Sequence, residues 1–434
     1  MLMNHSSLFS RYSKIRNRTL TLIQPLCNED CCVQSLPETS PVKWHLGHIA
    51  WFFENFILQH YEKPFKPFHE IFSSMFSSYN AICQTKPDPK RGLFTRPPLT
   101  EILHYCDNVN ERLNRTLTQI EEDEMLSMLT ILGMNHELQH QELILTDIKC
   151  LLSQNPLNPS YQDGKSGQYE ISSEGLLPLE WHRFEGGIVE IGHQGNSFSY
   201  DNESPRHKQY LQPYQLASRL ITNGEYLQFI ETGGYENTRL WLSDGMDWLK
   251  AHQRTHPFYW RENKDGWKEF TLNGLLPLDL NLPVVHLSFF EADAFARWSD
   301  ARLPTEAEWE NVASRQNIEG CFAENNRFHC MPATKDDSVP ARILQLFGDA
   351  WEWTQSSYSA YPGYCPFQPD PDKPMSQVWD HAVGEYNSRS MVNKYVLRGG
   401  SCLSSQEWIR PSFRNFLPAE TCIHATGLRL ARDS

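Results

Sequence analysis

At 434 residues the chain is longer than a usual single domain, so two domains, each able to bury its own core, are expected. A formal charge of -14 excludes the basic footprint of a phosphate-backbone binder, so no nucleic-acid partner is expected, and 12% aromatic residues suit a packed enzyme acting on a small substrate. No stretch approaches the roughly eighteen apolar residues of a membrane helix and no apolar signal core follows the first residues. With 11 cysteines, an odd number without a repeated Cys-x-x-Cys pair, a reduced, cytoplasmic setting off the membrane is expected.

Residues 1–152 carry helical periodicity. Four amphipathic stretches, Leu8–Leu26, Ser40–His60, Thr100–Ile120 and Glu121–Leu152, predict an up-down four-helix bundle with a long connection between the second and third. Ser40 and Pro41 are placed to cap and open the second helix, on which His45 and His48 share a face. In the fourth stretch Leu129, Leu132, Ile144, Ile148 and Leu151 fall in one row with His136 and His140. The two histidines therefore lie on the buried stripe, one turn apart, where both imidazoles can reach a single metal ion. The same five residues also spell His-Glu-x-x-His, the zinc-peptidase pattern in which Glu137 would serve as general base. His45 or His48 can complete a three-histidine set.

The connection from Lys63 to Pro98 is of a length that is commonly functional. It carries Tyr79, a phenol, together with Arg91 and Arg96, two planar forks suited to a carboxylate. From Ser153 to Glu180 periodicity gives way to Asn, Pro, Ser, Gly and Gln, which marks 153–180 as a linker. Residues 181–434 then hold short strands, turns and Gly- and Trp-rich segments, the pattern of an irregular α+β domain.

Four segments of that half are distinctive: Arg302-Leu303-Pro304-Thr305-Glu306-Ala307-Glu308-Trp309-Glu310, Gly348-Asp349-Ala350-Trp351-Glu352-Trp353-Thr354, Leu397-Arg398-Gly399-Gly400-Ser401 and Gly427-Leu428-Arg429-Leu430-Ala431. Through them the second half resembles, almost end to end, the formylglycine-generating-enzyme-like domain with its C-type-lectin-like fold. The first half looks like a DinB-like four-helix domain. Together, over nearly the whole chain, they resemble the ergothioneine-pathway sulfoxide synthases, iron enzymes that join a thiol to hercynine, the Nα-trimethylated histidine.

That resemblance implies Fe(II) held by His48, His136 and His140, with His45 a packing neighbour and Glu137 turned to another face. It implies hercynine, dioxygen and either cysteine or γ-glutamylcysteine as substrates, and a sulfoxide product at imidazole carbon 2. Three neutral imidazoles on one face of the ion leave the opposite positions open. Gln139 matches the family glutamine near the hercynine ring, and Asn415 and Phe416 match a substrate-binding pair. Members that use γ-glutamylcysteine can carry an aspartate next; here Leu417 follows, which favours free cysteine, with Arg91 or Arg96 on its carboxylate. The proton-donating tyrosine of one branch is replaced by Val383, leaving Tyr386 as a hercynine contact. Another branch draws its tyrosines from the first-domain loop, so Tyr79 is the expected donor.

Other classes make different demands. A zinc peptidase requires a downstream third ligand, and no His-x-x-Gly-x-x-His extension follows His140. A formylglycine-generating oxidase would use cysteines such as Cys330, Cys402 or Cys422 and, like a lectin-type binding module, would leave the histidines idle. Selenoneine-forming and ovothiol-type relatives share the architecture.

Overall fold

The computed structural model describes residues 5–77, 89–120, 123–162, 177–334, 343–383 and 390–434. They form two compact units. The first comprises Met1–Pro156, Asn196–Phe198 and Pro366–Glu385, and the second Leu157–Gly195, Ser199–Cys365 and Tyr386–Ser434. No helix of the described residues is long and apolar enough to cross a membrane.

The first unit is a DinB-like bundle of α1 (His5–Ile23), α2 (Val42–Phe53), α3 (Leu99–Gln119) and α4 (Glu124–Ser153). Helix α2 lies between α3 and α4, and α1 packs against the same two from the other side. Every residue of α2 from Val42 to Phe53 is buried, even Lys43, whose ammonium donates to the Phe94 carbonyl at 2.7 Å. The helical path runs on through a π-helical segment, Glu54–Leu58, and a last turn, Gln59–Tyr61. Helix α4 starts where Asp123 accepts a hydrogen bond from the Leu126 N–H at 2.7 Å.

The start of α2 differs from the expected cap. Pro41 is the N-cap, without a side-chain hydrogen bond, because Ser40 is engaged elsewhere. Its N–H donates to Asp147 Oδ2 at 2.8 Å and its hydroxyl accepts from Arg91 Nε at 2.8 Å. The helix Pro374–Val383, which the sequence placed in an unbroken second domain, groups with the bundle, packing on α4 and the π segment and burying Val378, Ala382 and Val383.

The second unit is the expected α+β domain. Its strands are β1 (Trp181–Phe184), β2 (Gly187–Ile191), β3 (His207–Leu211), β4 (Tyr214–Ala217), β5 (Trp260–Asn263), β6 (Gly266–Thr271), β7 (Gly274–Pro277), β8 (Trp351–Ser357), β9 (Tyr395–Arg398), β10 (Asn415–Leu417), β11 (Thr426–Gly427) and β12 (Ala431–Asp433). They pair as β1-β4-β12, β10-β9-β8-β11, the hairpin β2-β3 and the meander β5-β6-β7. The distinctive segments carry a set of arginine–glutamate pairs, two of which join one such segment to another. Glu306 pairs with Arg414 at 2.8 Å, Glu308 with Arg302 at 2.7 Å, Glu310 with Arg398, and Glu352 with Arg429 at 2.8 Å, the last pair wholly buried. Thr305 and Glu308 also form a capping box that opens the helix Glu306–Ala313.

Candidate metal centre

Inside the bundle α2 brings His48, and α4 brings His136 and His140, to one point, with ligand-capable atoms all within 4.8 Å of one another and all three residues buried. His48 Nε2 and His140 Nε2 each lie 3.1 Å from His136 Nε2. Nitrogens bound at about 2.1 Å and at right angles stand about 3.0 Å apart, against about 3.4 Å for tetrahedral bonds. The two measured separations lie nearer the right-angle value.

Burial lowers the pKa of His48 to about 3, although the Phe76 carbonyl acts the other way. It also drives His136 and His140 well below the usual imidazole range, helped by the neighbouring histidines. All three rings are therefore neutral, the state in which imidazole ligates. The rings are clamped. Trp44 stacks on His48 at 4.6 Å and 11°, Trp51 stacks on it at 5.1 Å and 16°, and Phe52 stacks on His136 at 4.8 Å. His48 Nδ1 donates to the Phe76 carbonyl at 2.6 Å, which leaves the ring's lone pair on Nε2, the nitrogen that faces His136. A neutral three-nitrogen set of this kind fits a divalent transition metal.

His45, expected only to pack, is hydrogen-bonded at both nitrogens. Its Nδ1 lies 2.8 Å from His140 Nδ1 and its Nε2 lies 3.0 Å from Asp147 Oδ2. The sequence held no sign of this, since Asp147 is two helical turns from His140 and reads as an ordinary polar position.

Glu137 faces away from the histidines. It is fully buried against α1, where it accepts from Thr19 Oγ1 at 2.7 Å and pairs with Arg16 at 3.0 Å. These contacts occupy it in holding α1 to α4, which removes the base that a peptidase would need. Gln139 is half-buried on the turn between the two α4 ligands.

Arg91 and Arg96 line one small cavity, with Lys43, Trp44, Phe76 and Phe94. Trp44 is the partition between that cavity and His48. Arg91 is buried, and beyond its Nε bond to Ser40 its guanidinium donates to the carbonyls of Thr39 and Glu38. Its fork therefore holds the 37–40 turn, whereas Arg96 is exposed at the rim. Tyr79 and Tyr386 lie outside the described residues.

Asn415 and Phe416 belong to the second unit, on β10. Asn415 Oδ1 accepts the Phe416 N–H at 2.9 Å, and Phe416 stacks on Tyr358 at 4.1 Å beneath the Lys394 ammonium. The cysteines considered for an oxidase are also in this unit. Cys330 is wholly buried, and the contact with the Cys402 thiol, then burial, pushes it well above its usual range, so it is held as the thiol.

Fold and site together define a protein with a DinB-like helical unit carrying a buried three-histidine cluster and a second, lectin-like α+β unit. Residues 180–434 match the Sulfatase-modifying factor enzyme 1-like domain, and the chain belongs to that family. Residues 11–144 match the DinB superfamily. The chain is 28% identical to a hercynine oxygenase of Mycolicibacterium smegmatis, covering 96% of both chains. It is 29% identical to a hercynine oxygenase of Mycobacterium tuberculosis, covering 97% of both. Ergothioneine biosynthesis protein 1 of Schizosaccharomyces pombe is 28% identical over 54% of this chain and 28% of its own.

Proposed function

We propose that the chain is a nonheme iron, dioxygen-dependent sulfoxide synthase of ergothioneine biosynthesis, acting in the cytoplasm on hercynine and cysteine, or γ-glutamylcysteine. The convergence of three buried, neutral histidines on one point is the observation that carries this reading. End-to-end similarity to two hercynine oxygenases supplies the substrate. The reaction balances: a ring C–H and a thiol S–H are lost, a carbon–sulfur bond forms, one oxygen atom ends on sulfur and the other leaves as water. Ferrous iron would supply open positions where the two substrates and dioxygen meet, which makes their encounter effectively unimolecular.

The protein's part is positioning. Trp44, Trp51 and Phe52 keep the imidazoles in place and water out. In this reading Gln139, Tyr386, Asn415 and Phe416 serve as hercynine contacts. Arg96 takes the carboxylate of the thiol substrate, since Arg91 is engaged by the 37–40 turn. Leu417, in place of an acidic residue, favours free cysteine over the γ-glutamyl form. Tyr79 delivers a proton to the developing oxygen. Metal analysis tests the centre: the purified chain should carry iron near one equivalent, and His48→Ala should lose most of it. Wild-type iron content in His48→Ala would overturn the assignment.

A further inference from the structure

We propose that His45 and Asp147 are a positioning pair that sets the tautomer and aim of His140, and that this pair is anchored through Ser40 on Arg91. The inference rests on His140 being a metal ligand. His140 turns Nε2 toward His136, so its second nitrogen is Nδ1, and that atom faces His45 Nδ1 at 2.8 Å. Two imidazole nitrogens at this distance share one proton, and either ring can carry it. Asp147 makes the choice. Its Oδ2 lies 3.0 Å from His45 Nε2, so the His45 hydrogen sits on Nε2 and donates to the carboxylate. His45 Nδ1 is then an acceptor, the hydrogen of His140 is held on Nδ1, and Nε2 of His140 is left with its lone pair toward the metal position.

The carboxylate is itself held. The same Oδ2 accepts the Ser40 N–H at 2.8 Å, Ser40 Oγ accepts from Arg91 Nε at 2.8 Å, and Arg91 grips the carbonyls of residues 38 and 39. Every member of the chain is buried: His45 is 1% exposed, Asp147 8%, Ser40 8% and Arg91 5%. Water therefore competes poorly for these bonds. The chain also ties α2 to α4, the two helices that carry the three histidines. Without it the His140 ring can adopt the opposite tautomer, which puts a hydrogen where the metal bond should form.

The test uses the full-length apoprotein and Co(II), with affinity from chelator competition and the visible ligand-field spectrum as a second readout. His45→Phe keeps an aromatic ring but removes both bonds, and should weaken Co(II) binding by about 10- to 100-fold and change the spectrum. His45→Asn, whose amide oxygen can accept from His140 Nδ1, should recover part of the affinity. Asp147→Asn, nearly isosteric, should weaken binding as well, and it carries the test if His45→Phe does not fold. Wild-type affinity and spectrum in His45→Phe or in Asp147→Asn would overturn the proposal. His136→Ala in the same assay separates the two claims. If it abolishes binding while His45→Phe keeps wild-type affinity and spectrum, the positioning pair fails and the three-histidine centre stands; if the wild-type chain takes up no Co(II), the centre itself fails.

Discussion

At the residue scale, neutrality is the common theme, since burial favours the uncharged form of the three imidazoles and of one carboxylate. Asp349 in the second unit is raised from 3.8 to about 7 by burial, despite accepting the Met331 N–H at 2.7 Å. Its folded pKa lies above its unfolded value, so the stability it contributes is complete below about pH 4 and is lost as pH rises through 7. Asp349→Asn, which also tolerates the left-handed backbone at φ 52°, should flatten that slope. About three pKa units set an upper bound of about 4 kcal/mol. Thermal unfolding of both proteins at acid and alkaline pH checks this, and identical slopes would refute it. For Tyr79, general acid catalysis is commonly worth about 10²- to 10⁴-fold. Tyr79→Phe should therefore cut carbon–sulfur coupling by that range, leave iron and hercynine binding intact, and raise the share of cysteine oxidised to sulfinate. Unchanged rate and product ratio in Tyr79→Phe, with loss of both in Tyr386→Phe, would transfer the role to Tyr386. His136 and His140 were legible because helical spacing places them on one buried row, whereas the choice of His48 over His45 came from the family resemblance. The partners of His45 were not, because a tautomer depends on atoms that meet only in the fold.

At the element scale, the site depends on how closely the connection after α2 approaches that helix. A Cβ on Gly47 would lie 2.4 Å from the Phe76 ring, so only glycine admits the contact, and the carbonyl of that same Phe76 holds His48 Nδ1. Gly47→Ala should displace Phe76 and release His48, lowering metal affinity several-fold. Metal titration reads the loss, and unchanged affinity would contradict the coupling. The four helices were readable from periodicity, as was the α+β character of the second half. The cap at Ser40 was misassigned because a good capping residue was taken by Asp147 and Arg91, partners 107 and 51 positions away in sequence. The π-helical segment 54–58 could not be foreseen, since a stretch that is mostly apolar looks the same at either pitch. Nor could the grouping of Pro374–Val383 with the bundle, which depends on where its apolar face finds a partner.

At the scale of the whole molecule, the segments that made the chain recognisable act as scaffold. Arg398, Arg414 and Arg429 pair with glutamates of the helix at 306–313 or of β8, cross-linking segments distant in sequence. Breaking such a buried pair is costly because it strands a charge, which ties these segments to the fold. The three-histidine cluster lies instead in the bundle, where two short histidine motifs that are weak signals singly meet at one point. The claim that most needs testing is the reaction. Anaerobic Fe(II)-loaded protein should be mixed with hercynine and either cysteine or γ-glutamylcysteine, exposed to oxygen, and its products identified by mass. The account predicts the hercynine–cysteine sulfoxide, formed faster from cysteine and absent without iron. Cysteine oxidised alone, with hercynine recovered unchanged, would contradict it.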